Sequence, residues 1–95
     1  MDKNDPEAFY ARLKEELEKS TRWPADYLYK FIIPTDKEKQ AAIGAIFNNT
    51  GAVIQTKKSR NGKYTSLSVT VNLEGPDQVI EKYREVGVIG GVISI

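Results

Sequence analysis

An Asn-Gly pair at positions 61 and 62 separates two segments in which apolar and polar side chains alternate. Asn-Gly between two such segments is the strongest short-range signal for a β-hairpin, because both residues tolerate the backbone of a tight turn. We therefore predict strands over residues 52–59 and 63–74, joined by a turn whose two loop residues are Asn61 and Gly62.

This hairpin has two unlike faces. In the predicted register Ile54 pairs with Val69, and the apolar residues of both strands share the face that includes this pair. The opposite face is largely polar and consists of Val53, Gln55, Lys57, Ser59, Tyr64, Ser66, Ser68 and Thr70. A sheet with one apolar and one polar face is covered by helices on one side only. We expect the polar face to be open.

The residues before the hairpin predict a helix, a strand and a second helix. Asp5 and Pro6 begin a helix over residues 6–19 with a narrow apolar stripe. Aromatic and β-branched residues favour a strand over residues 27–33, with Lys30 on its open side. The segment 35–38, Thr-Asp-Lys-Glu, then matches a capping box that starts the next helix.

Glycine and proline mark the remaining boundaries. Gly44 interrupts the second helix at a cost of about 1 kcal/mol relative to Ala, and we attribute it to close approach of another backbone. Gly75 and Pro76 begin a third helix, and residues 92–95 form a short apolar run that reads as a last strand.

From residue 27 the predicted order is strand, helix, strand, strand, helix, strand. Two split βαβ units of this kind form a ferredoxin-like plait, an α+β fold with a four-stranded antiparallel sheet and two helices on one face. The predicted spatial order is fourth, first, third, second strand. We assign residues 1–22 to an N-terminal helical extension and residues 23–95 to the ferredoxin-like domain.

Composition limits the chemistry of this 95-residue chain, which has neither cysteine nor histidine. Thiolate nucleophiles, imidazole bases and the common zinc ligands are therefore excluded. The acids sit where capping or turn chemistry explains them, so we predict no catalytic residue, no metal, no cofactor and no enzyme activity. The N-terminus has no apolar signal region and no segment is apolar enough to span a bilayer, so we expect a cytoplasmic protein without a membrane partner.

Positive charge is concentrated in the middle of the chain. Residues 39–73 contain five basic residues and no acid, and the density is highest at the predicted hairpin tip, at Lys57, Lys58, Arg60 and Lys63. A basic tip attracts anions or acidic partners by long-range steering. The same lysines also keep an edge strand from aggregating. We favour this structural interpretation, because four exposed charges without interleaved aromatic residues are weak evidence of nucleic-acid binding.

Several segments together resemble a known family. They are Trp-Pro at 23–24, Lys-Phe-Ile-Ile-Pro at 30–34, Gly-Lys-Tyr-Thr-Ser-Leu-Ser-Val at 62–69, Val-Ile-Glu-Lys-Tyr at 79–83 and Gly-Val-Ile-Ser-Ile at 91–95. This combination resembles the YbeD-like family of small bacterial proteins of unknown function. The resemblance implies a plait similar to the ACT regulatory domain, and no established activity. The helix carrying Phe9, Leu13 and Leu17 is an addition typical of one branch.

Three functions are consistent with these observations. The first is a regulatory or adaptor module that binds another protein or a second copy of itself through the open face, at Lys30, Gln55, Lys57, Tyr64, Ser66, Ser68 and Thr70. The second is an ACT-like sensor of a small metabolite, although the turn over residues 33–36 lacks the glycine common in ACT domains. The third is weak nucleic-acid binding through the basic hairpin, which is disfavoured because Tyr64 is the one aromatic residue predicted on that face.

Overall fold

The computed structural model describes residues 5–95, which form three helices and four strands. The elements are α1 (Pro6–Ser20), β1 (Ala25–Pro34), α2 (Lys37–Ile46), β2 (Val53–Lys58), β3 (Tyr64–Leu73), α3 (Pro76–Gly87) and β4 (Ile93–Ser94). Each lies where the sequence predicts it, with small differences in length.

The four strands form one antiparallel sheet in the order β2-β3-β1-β4. This is the predicted order of a ferredoxin-like plait, and the α+β fold class is confirmed. In this order β2 and β4 are the edge strands, while β1 and β3 are paired along ten residues each at the centre of the sheet.

The predicted hairpin register is also confirmed. Ile54 pairs with Val69 across β2 and β3, and Lys30 of β1 lies beside Ser68, which in turn lies beside Gln55. A shift by one residue would have exchanged the two faces of the sheet. The polar face is therefore the one that the sequence predicts.

The turn of this hairpin is longer than predicted. The strand pairing closes at Ser59 and Tyr64, whose backbone N–H and C=O are 2.8 Å apart, so four residues form the loop. A two-residue type I′ turn requires positive φ at both central positions, whereas Gly62 has φ 76 and Asn61 does not lie in that region. The Asn61 side chain instead accepts a hydrogen bond from the Lys63 amide at 3.0 Å.

The predicted capping box at the start of α2 is wrong, and the N-cap is one residue later than Thr35. Asp36 is the N-cap, and its carboxylate accepts hydrogen bonds from the amides of Glu38 at 2.8 Å and Lys39 at 3.3 Å. The Thr35 hydroxyl lies 3.0 Å from that of Thr65, which is buried on β3. Thr35 therefore ties the β1–α2 turn to the sheet, and the carboxylate is left to cap the helix.

The core lies between the sheet and the helices α2 and α3. Its fully buried side chains come from alternate positions of β1 and β3 and from the inner faces of the two helices: Tyr29, Phe31, Ile33, Ile43, Leu67, Val69, Val71 and Val79. The Tyr29 hydroxyl donates to the carbonyl oxygen of Val79 at 2.9 Å. This bond satisfies the only polar atom of the Tyr29 side chain and connects the central strand to α3.

Gly44 does not have the role expected of it. A Cβ atom built at this position would have no atom within 4 Å, so no backbone approaches the helix there. The position faces an open groove between α2 and β2. The cost of a glycine within the helix is therefore not offset by packing among residues 5–95.

Helix α1 packs on α3, on the helical side of the molecule. The Tyr10 ring stacks on the Tyr83 ring with centroids 6.5 Å apart, and the Arg84 guanidinium lies 4.8 Å from the centre of the Tyr10 ring. Arg84 also binds both carboxylate oxygens of Glu7. No residue of α1 is fully buried, but Leu17 is partly buried and packs against the core. Polar and aromatic contacts therefore add to a small apolar contact in holding the helix in place.

Candidate protein-binding face

The sheet surface opposite α2 and α3, here called the open face, carries every residue predicted for it. These are Lys30 on β1, Gln55 and Lys57 on β2, and Tyr64, Ser66, Ser68 and Thr70 on β3. Side chains alternate between the two faces of a strand, and the residues between these positions on β1 and β3 are buried. The structure thus brings all seven together on one surface.

Small hydroxyl side chains occupy the middle of the open face. Ser66 and Ser68 lie next to each other on β3 and are partly exposed. The Ser66 hydroxyl donates to the carbonyl oxygen of Lys57 on the neighbouring strand at 3.3 Å. Serine loses little rotamer freedom on binding and both donates and accepts hydrogen bonds. The centre of the face is therefore flat and adaptable.

Exposed apolar side chains surround this polar centre. Leu28 is 52% exposed, Val53 60% and Ile93 56%, and Ile32 of β1 pairs with Ile93 of β4. At the hairpin end Tyr64 is 50% exposed. Single exposed apolar residues are ordinary on a protein surface, but several of them around a flat polar centre give the arrangement of a contact surface.

A shallow hollow of about 180 Å³ connects the open face to the hairpin. It is lined by Ile32, Lys57, Lys58, Ser59, Tyr64 and Ser66. The hollow combines an aromatic ring, an aliphatic side chain and the side chain of Lys57. These groups suit a partner side chain that has an apolar stem and an anionic or hydrogen-bonding end.

The basic hairpin residues do not form a compact cluster on the open face. Lys57 belongs to that face, while Lys58 faces the opposite side of the sheet because it is the next residue along the strand. Arg60 and Lys63 are exposed in the four-residue loop. The positive charge therefore surrounds the hairpin end instead of marking one side of it.

Acidic residues are at the opposite end of the sheet. Asp26 at the start of β1 accepts a hydrogen bond from the Asn72 amide group at 3.0 Å, and Glu74 follows β3. The open face thus changes from basic at the hairpin to acidic at its far end.

The titratable groups of the core have structural roles. Burial raises the pKa of the Tyr29 and Tyr83 hydroxyls well above the ordinary range. The Tyr83 hydroxyl lies 2.9 Å from that of Tyr27, so both are engaged within the core. Among residues 5–95 no group of three acidic residues is placed to hold a metal ion. In the same range, no helix has the length and apolarity to cross a bilayer.

The fold and the surface together define a small α+β domain with one sheet face uncovered. The sequence model of the protein family of unknown function DUF493 matches residues 18–95. The chain belongs to this family, in agreement with its resemblance to small proteins of unknown function. No curated protein and no solved structure gives a significant match to the chain.

The sequence did not predict the groove between α2 and β2. Ile54 was expected on the core face, yet it is partly exposed, and Thr56 on the same face of β2 is exposed. A signal was present: the inward positions of β2 become more polar toward the hairpin, from Ile54 to Thr56 to Lys58. On an edge strand this pattern indicates that the helix layer does not reach that far.

Proposed function

We propose that the protein is a non-catalytic regulatory or adaptor module that binds another protein, or a second copy of itself, through the open face. The observation that carries the proposal is the position of α1. This helix packs on α3, so within residues 5–95 no helix covers the sheet on the other side. Apolar side chains that a third layer would bury, such as Leu28 and Ile93, are therefore more than half exposed.

The size of the face favours a transient complex. Strands rise about 3.3 Å per residue and lie about 4.8 Å apart, so the paired strands present roughly 450 Å². Stable complexes bury about 800 Å² of accessible surface on each partner, and transient signalling contacts bury less. An adaptor that exchanges partners fits this range better than a permanent subunit does.

An ACT-like metabolite sensor is the alternative reading, and the local geometry of α2 weakens it. Such a site uses free backbone amides at the start of the first plait helix to hold an anionic group. Here the Asp36 carboxylate already accepts from the amides of Glu38 and Lys39, and its negative charge repels an anion. A thermal-shift screen with amino acids at millimolar concentration tests this alternative, and a clear stabiliser would favour it.

Weak nucleic-acid binding at the hairpin has less support. The open face presents one exposed aromatic side chain, Tyr64, whereas sheet surfaces that bind RNA stack two or three bases on aromatic rings. A salt-sensitive gel shift with mixed oligonucleotides would favour this reading over protein binding.

Site-specific photo-crosslinking in cells tests the main proposal. A photoreactive amino acid at Ser68, in the centre of the open face, is expected to form adducts with one defined protein or with a second copy. The matched control places the same group at Glu81, which is exposed on α3, and is expected to lack those adducts. Adding Ser66→Arg to the Ser68 probe is expected to reduce the yield at least fivefold.

The result that contradicts the proposal is equally clear. If the Ser68 probe forms no adduct, or forms the same adducts as the Glu81 control, the open face is an ordinary solvated surface. Sedimentation velocity from 10 to about 500 micromolar protein then separates the two partners: a concentration-dependent dimer supports self-association, and a strict monomer with adducts supports a different protein.

A further inference from the structure

A groove of about 740 Å³ separates α2 from the edge strand β2, on the side of the sheet opposite the open face. Ala41 and Gly44 line it from α2, and Ile54, Thr56 and Lys58 line it from β2. A side-chain carbon at Gly44 would meet nothing within 4 Å. The helix surface here is short of side-chain atoms, which leaves room for another chain to approach.

The backbone edge of β2 is unpaired along this groove. The Ser59 amide donates to the carbonyl oxygen of Tyr64 on β3 at 2.8 Å. Backbone groups of an antiparallel strand alternate in direction, so odd-numbered residues of β2 bond to β3 and even-numbered residues point outward. The N–H and C=O groups of Ile54, Thr56 and Lys58 are therefore available to an added strand.

The basic residues around the groove favour an acidic partner. Residues 39–73 contain five basic residues and no acid. Lys37 and Lys58 line the groove, and neither forms an ion pair with another described residue. One acid, Asp36, also lines the groove, and its carboxylate accepts hydrogen bonds from two backbone amides at the start of α2. Two lysines and one aspartate leave a net positive charge on the groove walls, and the positive charge is farthest from Asp36 at Lys58 on β2.

We infer that β2 accepts an extended acidic segment of a partner protein as a fifth strand of the sheet. Its backbone pairs with the outward groups of Ile54, Thr56 and Lys58. Alternate side chains enter the groove, where those opposite Gly44 are apolar and those near Lys37 and Lys58 are carboxylates. This mode of binding combines main-chain hydrogen bonds with pockets for every second side chain.

A second copy of the chain is the less suitable occupant. Two-fold pairing of β2 with itself would join two edges that carry Lys57 and Lys58 and no acid, which like-charge repulsion opposes. This inference concerns a different surface from the open face, so it stands even if the open face binds nothing.

The test is an NMR titration of the ¹⁵N-labelled full-length protein with an acetylated octapeptide that has Thr at the odd positions, Glu at positions 2 and 4, and Val at positions 6 and 8. Glu and Val then lie on the same face of the added strand, at opposite ends of the groove. We expect saturable shifts in which the amides of Ile54, Thr56 and Lys58 move most and become protected from exchange. The amides of Gln55 and Lys57 already bond to β3 and should move least. A peptide with Lys in place of Glu should bind at least tenfold more weakly.

Matched charge variants locate the site. Lys58→Glu is expected to weaken peptide binding at least fivefold and to reduce its dependence on salt. Lys30→Glu makes the same charge change on the open face and should alter affinity less than twofold. If the two variants weaken binding equally, only the net charge matters and the inference is overturned.

Gly44 provides a variant in which binding and stability move in opposite directions. Gly44→Ala removes the helix penalty and meets no neighbouring atom, so the unfolding midpoint should rise. Gly44→Leu fills the groove and should lower peptide affinity at least tenfold while the protein remains folded. Unchanged affinity in the Leu variant, no saturable shift up to millimolar peptide, or a dimer formed through β2 would each overturn the inference.

Discussion

At the scale of single residues, the start of α2 shows why the predicted N-cap, Thr35, is one residue away from the observed one, Asp36. Thr35 and Asp36 both have side chains that cap helices. The neighbouring strand decides between them, because Thr65 on β3 provides a hydroxyl 3.0 Å from that of Thr35. Thr65 is 30 residues away from Thr35 in the sequence, so a motif of neighbouring residues does not predict this contact.

This assignment predicts the effect of substitutions at the cap. Asp36→Ala should lower the free energy of unfolding by about 1 kcal/mol, because two amides at the start of α2 lose their acceptor. Glu38→Ala, which would remove the acceptor for the Thr35 amide in a capping box over residues 35–38, should change it by less than about 0.5 kcal/mol. Urea denaturation checks both values, and a loss for Glu38→Ala as large as that for Asp36→Ala would favour the capping box.

The buried hydrogen bond of Tyr29 gives a second prediction. Tyr29→Phe should lower the free energy of unfolding by about 1 kcal/mol, because the hydroxyl that donates to Val79 is lost without a change in packing. Tyr64→Phe is the control, since its ring is half exposed on the open face. Equal effects of the two substitutions in urea denaturation would show that the Tyr29 bond adds no stability.

At the scale of elements, strand register was predictable and loop geometry was not. The register of β2 and β3 follows from period-two alternation over the whole hairpin, which a shift of one residue would destroy. The loop depends on the backbone angles of Asn61 and Gly62 and on local hydrogen bonds. The Asn61 side chain stabilises the four-residue form by accepting from the Lys63 amide. A segment of four residues is too short for its residue types to distinguish a two-residue turn from a four-residue loop.

The docking of α1 depends on pH through Glu7. The hydrogen bonds from Arg84 lower the pKa of the Glu7 carboxyl below its ordinary value of 4.5. Because the pKa of Glu7 is lower in the folded state than in the unfolded state, the ion pair with Arg84 contributes fully to stability above pH 4.5. This contribution is lost as the pH falls through the folded-state pKa. We expect amide protection in α1 to decrease below pH 4.5, and more so in wild type than in Glu7→Gln.

Hydrogen exchange measured by mass spectrometry checks this expectation. The control is Glu15→Gln, because Glu15 pairs with Lys19 inside α1 and does not reach α3. A Glu15→Gln protein should lose protection over the same pH range as wild type. If Glu7→Gln behaves like Glu15→Gln, the Glu7–Arg84 pair does not hold α1 in place.

At the scale of the whole molecule, the sequence predicts which side of the sheet is open but not what the extra helix does. The open face follows from alternation in β1, β2 and β3, which predicts that Lys30, Gln55 and Ser68 share one face, as the strand pairing confirms. The narrow apolar stripe of α1 is compatible with packing against either the open face of the sheet or α3. The choice depends on Tyr83 and Arg84, which meet Tyr10 only once the plait has formed.

The position of α1 is the central claim, because the proposed binding face exists only if this helix leaves it uncovered. Nuclear Overhauser effects between the ring protons of Tyr10 and Tyr83 measure it directly in the full-length protein. The structure predicts these effects, since the two ring centroids are 6.5 Å apart. Effects between α1 and Leu28 or Ser68 would contradict it, because α1 would then lie across the open face.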